Sequence, residues 1–368
     1  MAACERAPLV LTVDLGALVR NYRTLRSRLA GAACGAAVKA DAYGLGMARV
    51  APALAAAGCR SFFVATLDEG IVLRALLGQA EIVVLDGALP GSEDAFVAHR
   101  LIPALNDLGA IARWAAVARR HETPLDAVVH LDTGMARLGL SAAEGARLAA
   151  EPDRLAGLAL RLVMSHLACA DDPDHPLNAR QLAAFRAARA ALPPAPASLA
   201  NSAGIFLGPD YHFDLARPGV ALYGANLTPG APNPMAEVVQ AKARILQLRR
   251  VDSGQTVGYG ATHEMARPGR LATVAVGYAD GYLRSLSNRG VVAVGGARVA
   301  VVGRVSMDLI TVDVSALPQE SVAVGDPVTV IGGAVPVDEV AKRAGTIAYE
   351  VLTSLGRRYA RRYIEAGV

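Results

Sequence analysis

Cysteine, aromatic residues and, above all, lysine are in short supply in this chain of 368 residues. Its four cysteines, Cys4, Cys34, Cys59 and Cys169, show no paired spacing, which argues for reduced, mostly buried thiols and against a disulfide framework. No run approaches the ~20 uncharged apolar residues needed to cross a bilayer. The opening MAACERAPLVLTVD carries Glu5 and has no basic stretch leading into a long apolar core. A secretion signal is therefore not expected, and the cytoplasm is the default compartment. Aromatics make up only 5% of residues, and the arginines behind a net charge of +4 are scattered, so neither nucleic acid nor membrane is an expected partner. The polar stretch from His166 to His175 fits no established metal-ligand spacing; it is expected to be a loop, with no metal.

Lysine occurs only as Lys39, Lys242 and Lys342. Lys39 lies in the apolar, glycine-rich run GAAVKADAYGLGM, where it reads as the end of a buried strand. A lysine so placed must be paired or desolvated into a neutral amine. A neutral amine acts as base or nucleophile and condenses with a carbonyl cofactor, which arginine does not. If the protein carries out amine chemistry, Lys39 is its candidate centre.

Hydrophobic residues form 53% of the chain, enough for a barrel-sized core and a smaller partner domain. Short β-like runs alternate with alanine- and leucine-rich helical runs over roughly the first 230 residues. The expected strands are Ala36–Lys39, Phe62–Ala65, Ile82–Leu85, Ile102–Leu105, Ala127–Leu131, Ala159–Ser165, Ala197–Ala200 and Phe213–Ala216. Helices are expected over segments such as Leu15–Leu29, Met47–Ala57, Asp68–Leu76 and Leu182–Ala191. Eight alternations predict an α/β fold, a (β/α)8 TIM-type barrel. An open doubly wound sheet is the competitor, but no G-x-G-x-x-G turn follows the first strand.

A barrel places its active groups where strands end. Lys39 ends the first strand, His166 follows the sixth, Asn201 and Ser202 follow the seventh, and Arg217 follows the eighth. After the proline-rich Leu227–Pro234, the pattern becomes alternating and β-rich, with runs at Val238–Leu248, Thr256–Gly258, Leu271–Val276, Val291–Val294, Val299–Val305, Ile310–Val314 and Val328–Ile331. The expected division is a barrel over residues 1–233 and a mainly-β, largely antiparallel C-terminal domain over 234–368. The opening residues, to about position 8, are expected to associate with the second domain.

The motifs VKADAYGLG, LDTGMARLG, SHLACAD, ANSAG, LARPGVALYG, VGYGAT, VGYADG, SMD and Tyr349–Glu350 follow one another across nearly the whole chain. In this order they resemble the alanine racemases, fold-type III enzymes that use pyridoxal 5'-phosphate (PLP). The resemblance implies an isomerase that interconverts L- and D-alanine, works as a homodimer with active sites shared between subunits, and supplies D-alanine for peptidoglycan. Use of D-alanine as a carbon source is equally compatible.

The resemblance also assigns residues. Lys39 matches the lysine that carries PLP as a Schiff base and serves one face of the substrate Cα. Tyr259 matches the tyrosine that reaches the opposite face from the other subunit. Arg217 matches the arginine at the pyridine nitrogen, and His166 the histidine packed against the ring. Asn201, Ser202 and the amides of Gly219 and Val220 match the phosphate cup, with Tyr43 and Tyr349 adding hydroxyls. Arg137 matches the arginine that binds the substrate carboxylate or the cofactor's phenolic oxygen side, while Met307, Tyr278 and Tyr349 match positions that narrow the entrance.

Two positions depart from the family pattern. Many relatives have a carbamylated lysine two residues before the aspartate of LDTG; this chain has His130, which forms no stable carbamate. Leu45 stands where many have histidine. The alternatives are an amino-acid racemase of broader specificity, a fold-type III decarboxylase, against which Arg217 speaks, and a PLP carrier without the second domain's tyrosine.

Overall fold

The computed structural model describes residues 6–228 and 230–365, so Cys4 and the first five residues lie outside the described residues. Its strands are β1 (Leu9–Asp14), β2 (Ala33–Cys34), β3 (Ala36–Ala37), β4 (Ser61–Val64), β5 (Glu81–Val84), β6 (Ile102–Leu105), β7 (Leu125–His130), β8 (Leu158–Met164), β9 (Ala197–Ser198), β10 (Leu215–Ala216), β11 (Val239–Val251), β12 (Thr256–Val257), β13 (His263–Glu264), β14 (Gly269–Val274), β15 (Val291–Val294), β16 (Ala297–Ala300), β17 (Ile310–Asp313), β18 (Pro327–Ile331) and β19 (Ala360–Ile364).

Strands β3 to β9 form one parallel ladder in chain order. β10 pairs in parallel with β2, and the Asp214 and Arg217 amides donate to Ala197 and Ala200 carbonyls at 3.0 and 2.9 Å. These bonds close the ring into the eight-stranded barrel that the alternation predicts. The first barrel strand is split into β2 and β3 by Gly35, where an added Cβ would lie 2.9 Å from the Phe63 ring. Lys39 is consequently not a strand residue: it opens a turn just beyond the strand's end. The helices fall close to expectation, at Leu15–Ser27, Met47–Ala56, Leu67–Leu76 and Pro176–Ala190.

The second part of the chain is a sheet in the order β16-β15-β18-β11-β1-β19, extended by β14 on β11 and β17 on β14. β11 alternates as its sequence suggests, with Val239, Ala241, Ala243 and Ile245 buried between half-buried neighbours. The involvement of the N-terminus runs further than expected. All of β1 belongs to this sheet, antiparallel to β11 and parallel to β19. Both ends of the chain thus complete the β domain.

Buried Asn21, on the helix after β1, stitches the segment joining the two parts. Its amide nitrogen donates to Leu222 and Ala236 carbonyls at 3.1 and 2.9 Å, and its oxygen accepts from the Ala236 amide at 2.7 Å. A continuous apolar core runs through barrel and sheet, with a small satellite of Val251, Val257, Met265, Leu271 and Val302 in the β domain.

Candidate active site

A cavity of about 440 Å³ opens at the carboxyl end of the barrel strands, roofed by Ile347, Tyr349, Glu350 and Thr353 from the β domain. Lys39, Tyr43, Arg137, His166, Asn201, Ser202, Arg217, Gly219 and Tyr349 all line it. Val220 is fully buried next to Gly219 but does not reach the cavity wall.

Lys39 enters the cavity from an unusual turn. Ala40, Asp41, Ala42 and Tyr43 all have φ between 54° and 56°, a left-handed path that costs an L-residue roughly 1–2 kcal/mol each. The surroundings compel it. The Glu69 carboxylate accepts from the Ala40 amide at 2.6 Å, and the Asp41 carboxylate from the Met47 amide at 2.7 Å. The Arg361 guanidinium and Tyr363 hydroxyl of β19 donate to the Gly44 and Leu45 carbonyls at 2.6 and 2.9 Å. Burial pushes the Lys39 amine below the ordinary lysine value, helped by the Arg137 cation and opposed by Asp86 and Glu69.

Arg217 lies at the opposite wall, buried and held by neutral partners. It donates to Ser198 Oγ, to the Ser165 carbonyl at 2.6 Å and to His166 Nδ1 at 3.4 Å. Desolvation lowers it to about 10, so it remains a cation at neutral pH. His166 is held well below the ordinary histidine value, by burial first and then by the Arg217 and Arg137 cations, so it is a neutral imidazole accepting from Arg217.

At the third wall, Ser202 Oγ accepts from the Gly219 and Ala221 amides at 2.7 and 3.3 Å. A Cβ on Gly219 would lie 2.1 Å from the Tyr43 hydroxyl, so only glycine lets that phenol reach this corner. Tyr43 is itself fixed between Tyr223 and Tyr349, with ring centroids 4.6 and 6.0 Å away.

Three of the expected residues are elsewhere. Tyr259, Met307 and Tyr278 lie on the β domain, outside this cavity, and are 73%, 53% and 42% exposed. They occupy neighbouring loops: the Tyr278 and Ala279 amides bond the Ser306 and Met307 carbonyls, and Gly260 beside Tyr259 packs on Arg304.

Several supporting residues go unassigned by the motifs, although Ser165 opens one of them, SHLACAD. Glu69, Ser165 and Ser198 hold Lys39's turn and Arg217. Fully buried Gln181 donates to the His166 carbonyl at 2.9 Å and to Thr133 Oγ1 at 3.2 Å. Asn106 holds His130. The rule that active groups follow strand ends does point to Ser165, Ser198 and Asn106; Gln181 sits on a helix and carries no such signal.

A parallel barrel with a desolvated amine at its mouth, capped by a β domain that both chain ends complete, defines a two-domain barrel enzyme of amine chemistry. Residues 13–227 match the sequence profile described as alanine racemase, N-terminal domain, and residues 238–363 that of the alanine racemase C-terminal domain. The alanine racemase of Rhodospirillum rubrum is 52% identical over 361 residues, covering 98% of this chain and 96% of that protein. A catabolic alanine racemase of Agrobacterium fabrum is 50% identical over 359 residues, covering 97% and 92%. Among solved structures, alanine racemase from Bartonella henselae with covalently bound pyridoxal phosphate superposes with a TM-score of 0.94 at 42% identity, covering 97% of this chain and 100% of that one. The chain belongs to the alanine racemase family.

Proposed function

We propose that this protein interconverts L- and D-alanine with PLP bound at Lys39, as a cytoplasmic homodimer in which each subunit lends Tyr259 to the other's cavity. The barrel, residues 1–233, binds the cofactor and the β domain, residues 234–368, supplies the second base. The single observation that carries this reading is the Lys39 amine, drawn toward its neutral form in the cavity at the barrel mouth and, among the described residues, without a carboxylate at ion-pair distance.

The cavity's donor set fits PLP. The cradle that Gly219 keeps open sits among the Tyr43, Ser202 and Tyr349 hydroxyls, where a phosphate would be held with the Asn201 side chain and would take over the Gly219 amide from Ser202 Oγ; the Val220 amide would join them only if it turned toward the cavity. Arg217 would hold the pyridine nitrogen as a donor that keeps its own proton, with His166 packed beside it. Once bound, the cofactor supplies an electron sink that makes the Cα proton of alanine removable.

The rest is the chain's own work. Lys39 Nζ, whose hold on a proton burial weakens, takes or returns a proton on one face of Cα. The Tyr259 phenol of a second copy does so on the other face. Arg137 binds the substrate carboxylate at the cavity rim. Tyr349, with Met307 and Tyr278 of the second copy, narrows the entrance around a small side chain. The Tyr259 hydroxyl, standing in solvent in one chain, acquires its catalytic surroundings only through assembly. The product D-alanine supplies peptidoglycan. Among the described residues no helix is long and apolar enough to cross a membrane.

Circular dichroism of L-alanine incubated with PLP-loaded protein tests the proposal. The signal should decay to zero, and D-alanine should decay to the same end point. Persistent optical activity from either enantiomer would defeat it.

A further inference from the structure

We infer that Asn106 and His130 form a locked pair that presents an unprotonated imidazole nitrogen to Arg137, making both of them positioning residues for that arginine. The inference depends on the proposed function only for what Arg137 binds, a substrate carboxylate.

Asn106 follows β6, and its amide nitrogen donates to the Leu85 and Ala104 carbonyls at 3.1 and 3.2 Å. Both amide hydrogens are thereby committed to backbone at the ends of neighbouring strands. The atom facing His130 is the amide oxygen, 2.7 Å from Nδ1. An amide oxygen cannot donate, so Nδ1 carries the proton. A neutral imidazole has one N–H, and Nε2 is left as an acceptor.

The surroundings hold this ring neutral. His130 is buried, and burial together with the Arg217 and Arg137 cations lowers it to about 4 against the pull of Asp132. His166, lining the same narrow cleft, is itself neutral. Asp132 does not compete for the ring: its carboxylate accepts from the Gly134, Met135 and Ala136 amides at 2.9, 2.9 and 3.0 Å.

The same bonds shape the loop that bears Arg137. Its two ends are tied beside His130, with the Leu140 amide donating to the His130 carbonyl and the Asp132 amide to the Leu140 carbonyl, both at 2.8 Å. A Cβ on Gly139 would lie 3.3 Å from His130 Cδ2, the carbon bonded to Nε2. The Cδ2 edge of the ring, next to Nε2, therefore faces the end of the Arg137 loop, and His130 and Arg137 line one narrow cleft. A neutral acceptor orients a guanidinium without cancelling its charge, which stays available to a carboxylate ligand.

Nitrogen-15 NMR of histidine-labelled protein, with His130 assigned through His130→Gln, reads the tautomer directly. The expected state between pH 6 and 8 is a protonated Nδ1 and a bare Nε2. Kinetics read the consequence. His130→Phe should raise KM for alanine about tenfold, with kcat and cofactor absorbance nearly unchanged, and His130→Gln, which keeps a neutral acceptor, should recover most of that loss. Asn106→Asp should make KM climb as pH falls from 8 to 6, because a carboxylate at Nδ1 favours imidazolium facing Arg137. A proton on Nε2 in the native protein, or equal KM values for the Phe and Gln variants, would overturn the inference. A protein inert toward alanine would instead defeat the proposed function, while the NMR result would still decide the pair.

Discussion

Lys39 and Tyr259, proposed to act on the same carbon atom, live in opposite surroundings. Lys39 lines a cavity at the barrel mouth, on a turn clamped by Glu69, Asp41, Arg361 and Tyr363, and burial lowers its hold on a proton. Tyr259 stands 73% exposed on a three-residue turn supported by a five-residue apolar cluster. One base is finished within a single chain; the other is merely displayed. In the proposed dimer, the half that one chain completes would be met by the half that the other displays.

The largest test mixes two broken chains. Lys39→Ala and Tyr259→Ala should each lose about 10²–10⁴-fold in racemisation. When they are unfolded and refolded together, a mixed dimer holds one site with both bases and one with neither. Random pairing should then recover about a quarter of the native rate. A mixture as inactive as its parents would break the shared-site comparison.

A smaller effect sharpens it. Gly219→Ala drives a methyl into the Tyr43 hydroxyl and should weaken PLP binding about 10- to 100-fold, measured by cofactor absorbance. Tyr259→Ala, on the exposed side, should leave that affinity within about twofold. Equal losses in the two variants would mean that the phenol helps to build the cofactor pocket.

The smallest effect is on stability. Before PLP is bound, Lys39 in the folded chain has a value below the 10.5 of an ordinary lysine. Between those two values the unfolded chain holds the extra proton, so stability rises with pH across that window, by at most ~1.4 kcal/mol per pH unit. Lys39→Met should remove this contribution in urea titrations. An unchanged slope would mean that the cavity does not desolvate the amine.

Much of this architecture was legible because barrels repeat. Eight short runs of matching period gave the strands, and polar residues at their ends, among them His166, Ser202 and Arg217, converge on the cavity. The turn after Lys39 was not legible. Alanine favours right-handed helix, and Ala40 and Ala42 go left-handed only because distant groups hold the backbone there. Nor was the pairing of Leu9–Asp14 with Ala360–Ile364 visible, since a contact between opposite ends of a chain leaves no local period. Gln181 was hidden for a similar reason: a lone glutamine on an alanine-rich helix looks like surface until its partners are known.

That β19 grips the carbonyls of Gly44 and Leu45 ties the seating of the amine to the far domain. The turn that bears Lys39 is thus held from the β domain, and without that grip it is free to relax toward its cheaper right-handed form. Arg361→Ala combined with Tyr363→Phe, which removes both donors, should therefore leave a folded barrel with a misplaced amine.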